Sequence, residues 1–263
     1  MITILYSAII FIACTVGAIV GIGGGVIIKP LLDFIGMHSV ETVGFISTCA
    51  VFAMSISSSI KHIKAKTPIK QKVVLLVSAG SVFGGIIGNE IFDLVLERLN
   101  SNMVKGIQAV IIAAFIIFVI IYINSKNIKS FEIKNPAAIV LIGLMLGLMS
   151  AFLGIGGGPI NTTFLVLLFS FTLKESAVYS VAIIFFSQLS QLITIFINNQ
   201  FVPYKEFTPI ILIAMAVSVI GGIIGSQLNK KLSNKTITKI FSAVLIVVAI
   251  INIYNAAVGF ITK

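Results

Sequence analysis

"GIGGGVIIKP", Gly21–Pro30, follows a strongly apolar stretch, and "GIGGGPINTT", Gly154–Thr163, follows another. A glycine run of this kind interrupts a helix and frees backbone N–H and C=O groups. Lipid cannot satisfy those groups, so non-helical backbone at membrane depth survives only when buried in protein or lining a wet cavity. The helix that restarts after the break points its free N–H groups and positive dipole end at that spot, where an anion is favoured.

Composition places the chain in a membrane. Its 263 residues are 58% hydrophobic and 10% charged, whereas a soluble domain carries about 25% charged residues. Runs such as Val104–Asn124, Thr208–Gln227 and Thr236–Tyr254 reach the roughly 20 residues that cross a bilayer as helix. The expected helices are Thr3–Val20, Val26–Ile35, Val43–Ile60, Val73–Phe92, Val104–Asn124, Ala137–Leu153, Pro159–Ser170, Ala177–Ile197, Thr208–Gln227 and Ile237–Tyr254. The fold class is therefore an all-α polytopic membrane protein, with eight full spans and two short half-helices behind the GIGGG breaks.

The remaining composition excludes other classes. The net charge of +10 comes from lysines in short loops, which is how membrane topology is encoded, so no nucleic-acid partner is expected. The opening stretch lacks a basic n-region and reads as a retained first helix, not a cleaved signal. Cys14 and Cys49 lie in apolar segments and fit neither a disulfide framework nor a zinc site. His38 and His62 fall at segment ends, and no catalytic or metal-ligating cluster can be assembled. No cofactor is expected.

The two halves repeat. Gly21 and Gly154 are 133 residues apart; "FGGIIG" at Phe83 matches "IGGIIG" at Ile220, and "RLNSNMVKGIQAV" from Arg98 resembles "KLSNKTITKIFSAV" from Lys231. Three markers in one order argue for duplication: residues 1–124, a polar linker 125–136, and residues 137–263. If the short segments dip in and return, the halves are parallel; if they cross, the second half is inverted. Cytoplasmic loops collect Lys and Arg. The parallel arrangement splits these residues eight against ten, and the inverted one 13 against four, with Lys29 inside a segment. The inverted arrangement is expected, with both termini outside the cytoplasm.

The candidate site follows from the breaks. Gly23, Gly24 and Gly25, with Gly156, Gly157 and Gly158, would offer backbone donors across the midplane. The competing reading is that the glycines only let helices approach closely, and that reading is preferred for "FGGIIG" and "IGGIIG". Lys29, a cation inside an apolar segment, marks function by default; it either meets an anionic substrate or pairs with Asp33 one turn on. Its repeat counterpart is Thr162, beside Asn161 and Thr163. Ser47, Thr48, Ser55, Ser57, Ser58, Ser59, Ser187, Gln188, Ser190, Gln191 and Thr194 form two equivalent polar sets that either share a cavity or bond neighbouring helices. Glu90 is a proton-carrier candidate against simple interfacial solvation.

"GIGGGVIIKPLLDFIG" and "GIGGGPINTTFLVLLF" resemble the paired motifs of the sulfite exporter TauE/SafE family of membrane transporters, and the resemblance runs through nearly the whole chain. It implies export of sulfite, a sulfonate or another small anion across the bacterial cytoplasmic membrane. Two positions depart from the family pattern. Thr163 stands where members often carry proline, and Lys29 where many carry an apolar residue, so the half-sites are expected to be unequal. The partners expected are a small anion, the lipid bilayer, a coupling ion (proton or sodium) and a second copy of the chain in a homo-oligomer. The alternatives are a membrane-embedded enzyme and a non-transporting membrane assembly subunit.

Overall fold

The computed structural model describes residues 2–64, 70–124 and 130–261. Lys66, Lys126, Lys129 and Lys263, counted above, lie outside the described residues, as does the first part of the linker, 125–129. Ten α-helices follow one another: α1 (Ile2–Val20), α2 (Gly25–Ile35), α3 (Val40–Lys64), α4 (Gln71–Arg98), α5 (Ser101–Asn124), α6 (Pro136–Leu153), α7 (Gly158–Phe169), α8 (Leu173–Ile197), α9 (Thr208–Lys231) and α10 (Asn234–Ile261). All except α2 and α7 are long and apolar enough to cross a membrane. The chain is a multi-pass membrane protein.

Helix ends obey local chemistry. Asn135 caps α6 by accepting from the Ala137 N–H, with Pro136 in the first turn, where its missing N–H costs nothing. Thr172 and Glu175 form a reciprocal capping box on α8. Several helices outrun the apolar segments that announce them. Helix α3 continues through Lys61, His62 and Lys64, and α4 through Asp93, Glu97 and Arg98, because the helix persists into the headgroup zone after apolarity stops. A 3-10 turn at Val202–Phe207, which the hydrophobic pattern did not signal, leads into α9.

Contacts fix the helix directions. Met54 and Ser57 face Gly222, Ser58 bonds Ser226, and the Lys230 ammonium donates to the Lys61 carbonyl. Numbers climb together, so α3 and α9 are parallel. Helices α4 and α8 are also parallel, since Ser190 donates to the Val82 carbonyl and the Gln191 amide to Asn89 Oδ1. In contrast α3 and α8 are antiparallel: Thr48 meets Gln191 while Phe52 stacks on Phe185. Helices α5 and α10 oppose each other, with Asn102 and Gly106 against Gly259.

Small residues permit these approaches, as they do where lipid supplies no hydrophobic drive between helices. A Cβ at Gly80, Gly84 or Gly88 of α4 would stand 2.0, 1.9 or 2.5 Å from the carbonyl oxygens of Val140, Leu144 or Leu148 of α6. Gly221 and Gly225 of α9 meet Phe11 and Thr15 of α1 in the same way. The "FGGIIG" and "IGGIIG" runs thus pack helices.

The directions define two ends. One holds the starts of α3, α5 and α9 with the ends of α4 and α8. The other, rich in lysine, holds the ends of α3 and α9 with the start of α8. There Lys174 donates to the carbonyls of Lys230 and Leu232.

Candidate functional site

Gly21–Gly25 are buried, as are Ile155–Gly158, while Gly154 is half-buried. Gly21 and Gly23, and their counterparts Gly154 and Gly156, have φ between +62° and +76°, a region that only glycine enters freely. The halves differ one residue later, since Gly157 has φ +74° and Gly24 has φ −67°. Gly25 packs on the Ile155 carbonyl and Gly158 on the Ile22 carbonyl. The N-terminal residue of each short helix is therefore seated on the other break. Helices of 11 and 12 residues rise about 17 Å at 1.5 Å per residue, roughly half a bilayer.

Val51 of α3 closes the centre, lying against Gly23, Gly25 and Gly156. Gln188 of α8 lies 3.8 Å from where a Gly156 Cβ would be; it is 1% exposed, and neither end of its amide has a hydrogen-bond partner. Asn161 and Ser150 crowd Gly157, with Asn161 Oδ1 and Ser150 Oγ also unpartnered. Thr162 donates to the Gly21 carbonyl at 2.9 Å.

A cavity of about 240 Å³ lies beside this centre, toward the end where α3 starts. Its walls come from Lys29 of α2, Glu41, Gly44, Phe45 and Thr48 of α3, Asn89 and Asp93 of α4, Gln108 of α5, Gly154, Gln191 of α8, and Gln200 and Tyr204 near the 3-10 turn. Of the nine residues singled out as the site, Lys29 lines this cavity. The six glycines, Asn161 and Thr162 are not among its lining residues; Asn161 packs on Gly157 and Thr162 bonds the Gly21 carbonyl.

Lys29 is 2% exposed and its methylenes touch Gly154. Its ammonium bonds Asp33 Oδ2 at 3.1 Å, which realises the pairing weighed against substrate contact while leaving Lys29 on the cavity wall. Lys105 of α5 donates to the Asp33 main-chain carbonyl. Paired side chains form part of the wall: Phe45 and Tyr204 stack at 4.4 Å, and the Gln200 amide donates to Asp93 Oδ2 at 2.6 Å.

The first break is packed more tightly on the side of α8. A Cβ on Gly21 would stand 2.0 Å from Ala177 Cα, whereas one on Gly154 would be 3.9 Å from Cα of Gly44. Asn229 seals the same region by donating to the Ile19 carbonyl at 2.6 Å.

The family described as sulfite exporter TauE/SafE matches residues 6–251. The chain belongs to that family. The named relatives are all probable membrane transporters, and two of them match in length. It is 27% identical to the probable membrane transporter protein YunE of Bacillus subtilis, over 93% of this chain and 94% of that one. A probable membrane transporter protein of Methanocaldococcus jannaschii is 26% identical over 89% of each chain. The probable membrane transporter protein MamO of Magnetospirillum gryphiswaldense is 22% identical over 89% of this chain and 42% of its own length.

Within this TauE/SafE member, the two polar sets divide. Thr48 and Gln191 line the cavity, whereas Ser55, Ser57, Ser190 and Thr194 bond nearby backbone carbonyls and Ser58 bonds Ser226. Glu90 is exposed; Asp93, one turn on, is the carboxylate that reaches the cavity. Glu41, Asn89, Gln108, Gln200 and Tyr204 escaped the sequence reading. Gln108 carried a usable signal as the one amide inside the apolar run Val104–Ile123. The others sit near span ends, where polar residues are ordinary. Among the described residues, no group of three or more His, Cys, Asp or Glu could hold a metal ion.

Proposed function

We propose that the chain is a secondary transporter of the bacterial cytoplasmic membrane that exports a small anion, with sulfite or an organic sulfonate as the leading class. The observation that carries the reading is Lys29: a buried ammonium on the wall of the polar cavity, pressed against the second glycine break. The family's description and the relatives' names as probable transporters support it.

The halves, 1–124 and 137–263, act as an inverted repeat joined by 125–136. Helices α1, α3 and α5 run one way, and their counterparts α6, α8 and α10 run the other. The reciprocal contacts Gly25–Ile155 and Gly158–Ile22 are those a two-fold relation between halves would make. The lysine-rich end faces the cytoplasm, following the bias that sets topology. The cavity beside Lys29 is then the outward half-site. Export requires the Gly21–Ala177 contact to part so that substrate enters from the cytoplasm, while Gly44 closes on Gly154. The short helices rock around the fixed centre, with their N-termini presented to the anion.

Flux of sulfite, thiosulfate or sulfoacetate out of preloaded proteoliposomes tests this. Flux of at least one anion, lost in Lys29→Met, is the expected result. Folded protein that moves none of them overturns the reading.

A further inference from the structure

The charges on the cavity wall do not suit a bare anion. Lys29 already shares its charge with Asp33, and the wall also carries Glu41 and Asp93. Counting Lys105 behind Asp33, two cations face three carboxylates. A ligand with only negative charge would meet net repulsion in a site where water screens poorly.

The wall offers donors and acceptors together. The Lys29 ammonium has three N–H donors, of which Asp33 takes one. Asn89 is 7% exposed and its Nδ2 has no partner, and the Gln191 amide lies beside it. The same wall carries acceptors and aromatic faces. One Glu41 oxygen accepts from Ser101 at 2.7 Å, while its other oxygen is buried without a partner. Gln108, 2% exposed, likewise leaves Oε1 unpartnered on the wall. The stacked Phe45–Tyr204 pair lies beside these acceptors. Carboxylates, an amide oxygen and aromatic faces together are what an alkylammonium group prefers. Among the described residues, no group of three or more His, Cys, Asp or Glu is placed to hold a metal ion.

We propose that the ligand of this cavity is a compact zwitterion. Its anionic head is held by Lys29, Asn89 and Gln191, and its ammonium end by Glu41, Asp93 and the Tyr204 ring. The proposal rests on the transport reading above and narrows its substrate class. The volume of about 240 Å³ is on the order of eight waters at about 30 Å³ each, which suits a short chain between the two charges. Such a ligand supplies a partner to Asn89 Nδ2 and to the free Glu41 oxygen and brings no net charge into the cavity.

Matched pairs test it. The protein in lipid nanodiscs is titrated calorimetrically with 3-aminopropane-1-sulfonate against propane-1-sulfonate, and with β-alanine against propionate. The amine of each pair should bind at least about tenfold more tightly, because a site built to hydrogen-bond an N–H group penalises the analogue that lacks it. Glu41→Gln with Asp93→Asn should abolish that preference, and Lys29→Met should weaken all four compounds. Tyr204→Leu, which leaves every charge in place, should narrow the preference even if a charge variant fails to fold. Equal affinities within each pair overturn the proposal, as does a sodium requirement that lifts the non-amines to the affinity of the amines. If an inorganic anion crosses proteoliposomes while no amine binds, this proposal falls and the transport reading stands. If the amines bind as expected and nothing crosses, the site assignment stands and the transport reading falls.

Discussion

A Cβ added to Gly158 would stand 1.3 Å from the carbonyl oxygen of Ile22. The reciprocal contact is looser, at 2.3 Å from a Gly25 Cβ to the Ile155 oxygen. Each short helix thus begins on the peptide group of the other break, and both positions exclude any side chain.

Gly158→Ala is expected to destabilise more than Gly25→Ala, and both by more than the roughly 1–3 kcal/mol of ordinary overpacking, since backbone must move in each. Gly44→Ala serves as the control, because nothing lies within 4 Å of its Cβ. Thermal unfolding in detergent should rank the variants Gly158→Ala below Gly25→Ala below Gly44→Ala. Equal midpoints would show that the breaks yield and do not act as a fulcrum.

The Lys29–Asp33 pair separates stability from function. Removing one member of a buried pair leaves an uncompensated charge, typically at a cost of about 3–5 kcal/mol, whereas replacing both with neutral groups is often nearly neutral. Lys29→Met should therefore lower the unfolding midpoint, and Lys29→Met with Asp33→Asn should recover much of it. Flux should stay lost in the double variant, because the cavity has lost its cation. Recovered flux would reduce Lys29 to a structural partner of Asp33.

Topology is read with impermeant thiol reagents in intact cells, after Cys14 and Cys49 are replaced by serine. Lys64, Lys205 and Lys235 are exposed. Cysteines at Lys64 and Lys235 should resist labelling until lysis, and one at Lys205 should label at once. Protection of only one of the first two would remove the inverted arrangement.

Alternation between the two ends is read the same way. Thr48 lines the open cavity, whereas Ser58 is fully buried against Ser226. Thr48→Cys should label quickly from outside and Ser58→Cys slowly. A transported substrate should change the ratio of the two rates. A ratio indifferent to every transported compound would argue that the closed end never opens.

Much was legible in the chain itself, and for a physical reason. Lipid accepts only backbone that satisfies its own hydrogen bonds, so uninterrupted apolar runs had to be helices and the two glycine runs had to be special. The recurring motifs that suggest a duplication, and the basic-residue bias, were visible for the same reason, since they are one-dimensional features of spans and loops. The expected close meeting of the breaks rested on that symmetry.

Only the tertiary structure decided which polar residues share a space. Ser190 and Gln191 are neighbours in sequence, yet one bonds the Val82 carbonyl and the other lines the cavity, a difference set by helix rotation against α4. Asp93 reaches the cavity and Glu90 does not, because three residues along a helix turn a side chain by less than a full 3.6-residue turn, enough to move it from lipid to interior here. Lys29 was conspicuous alone, but its balance with Asp33, Lys105, Glu41 and Asp93 spans four helices. Charge in a low-dielectric cavity is a sum over everything that faces it, and no local stretch of sequence contains that sum.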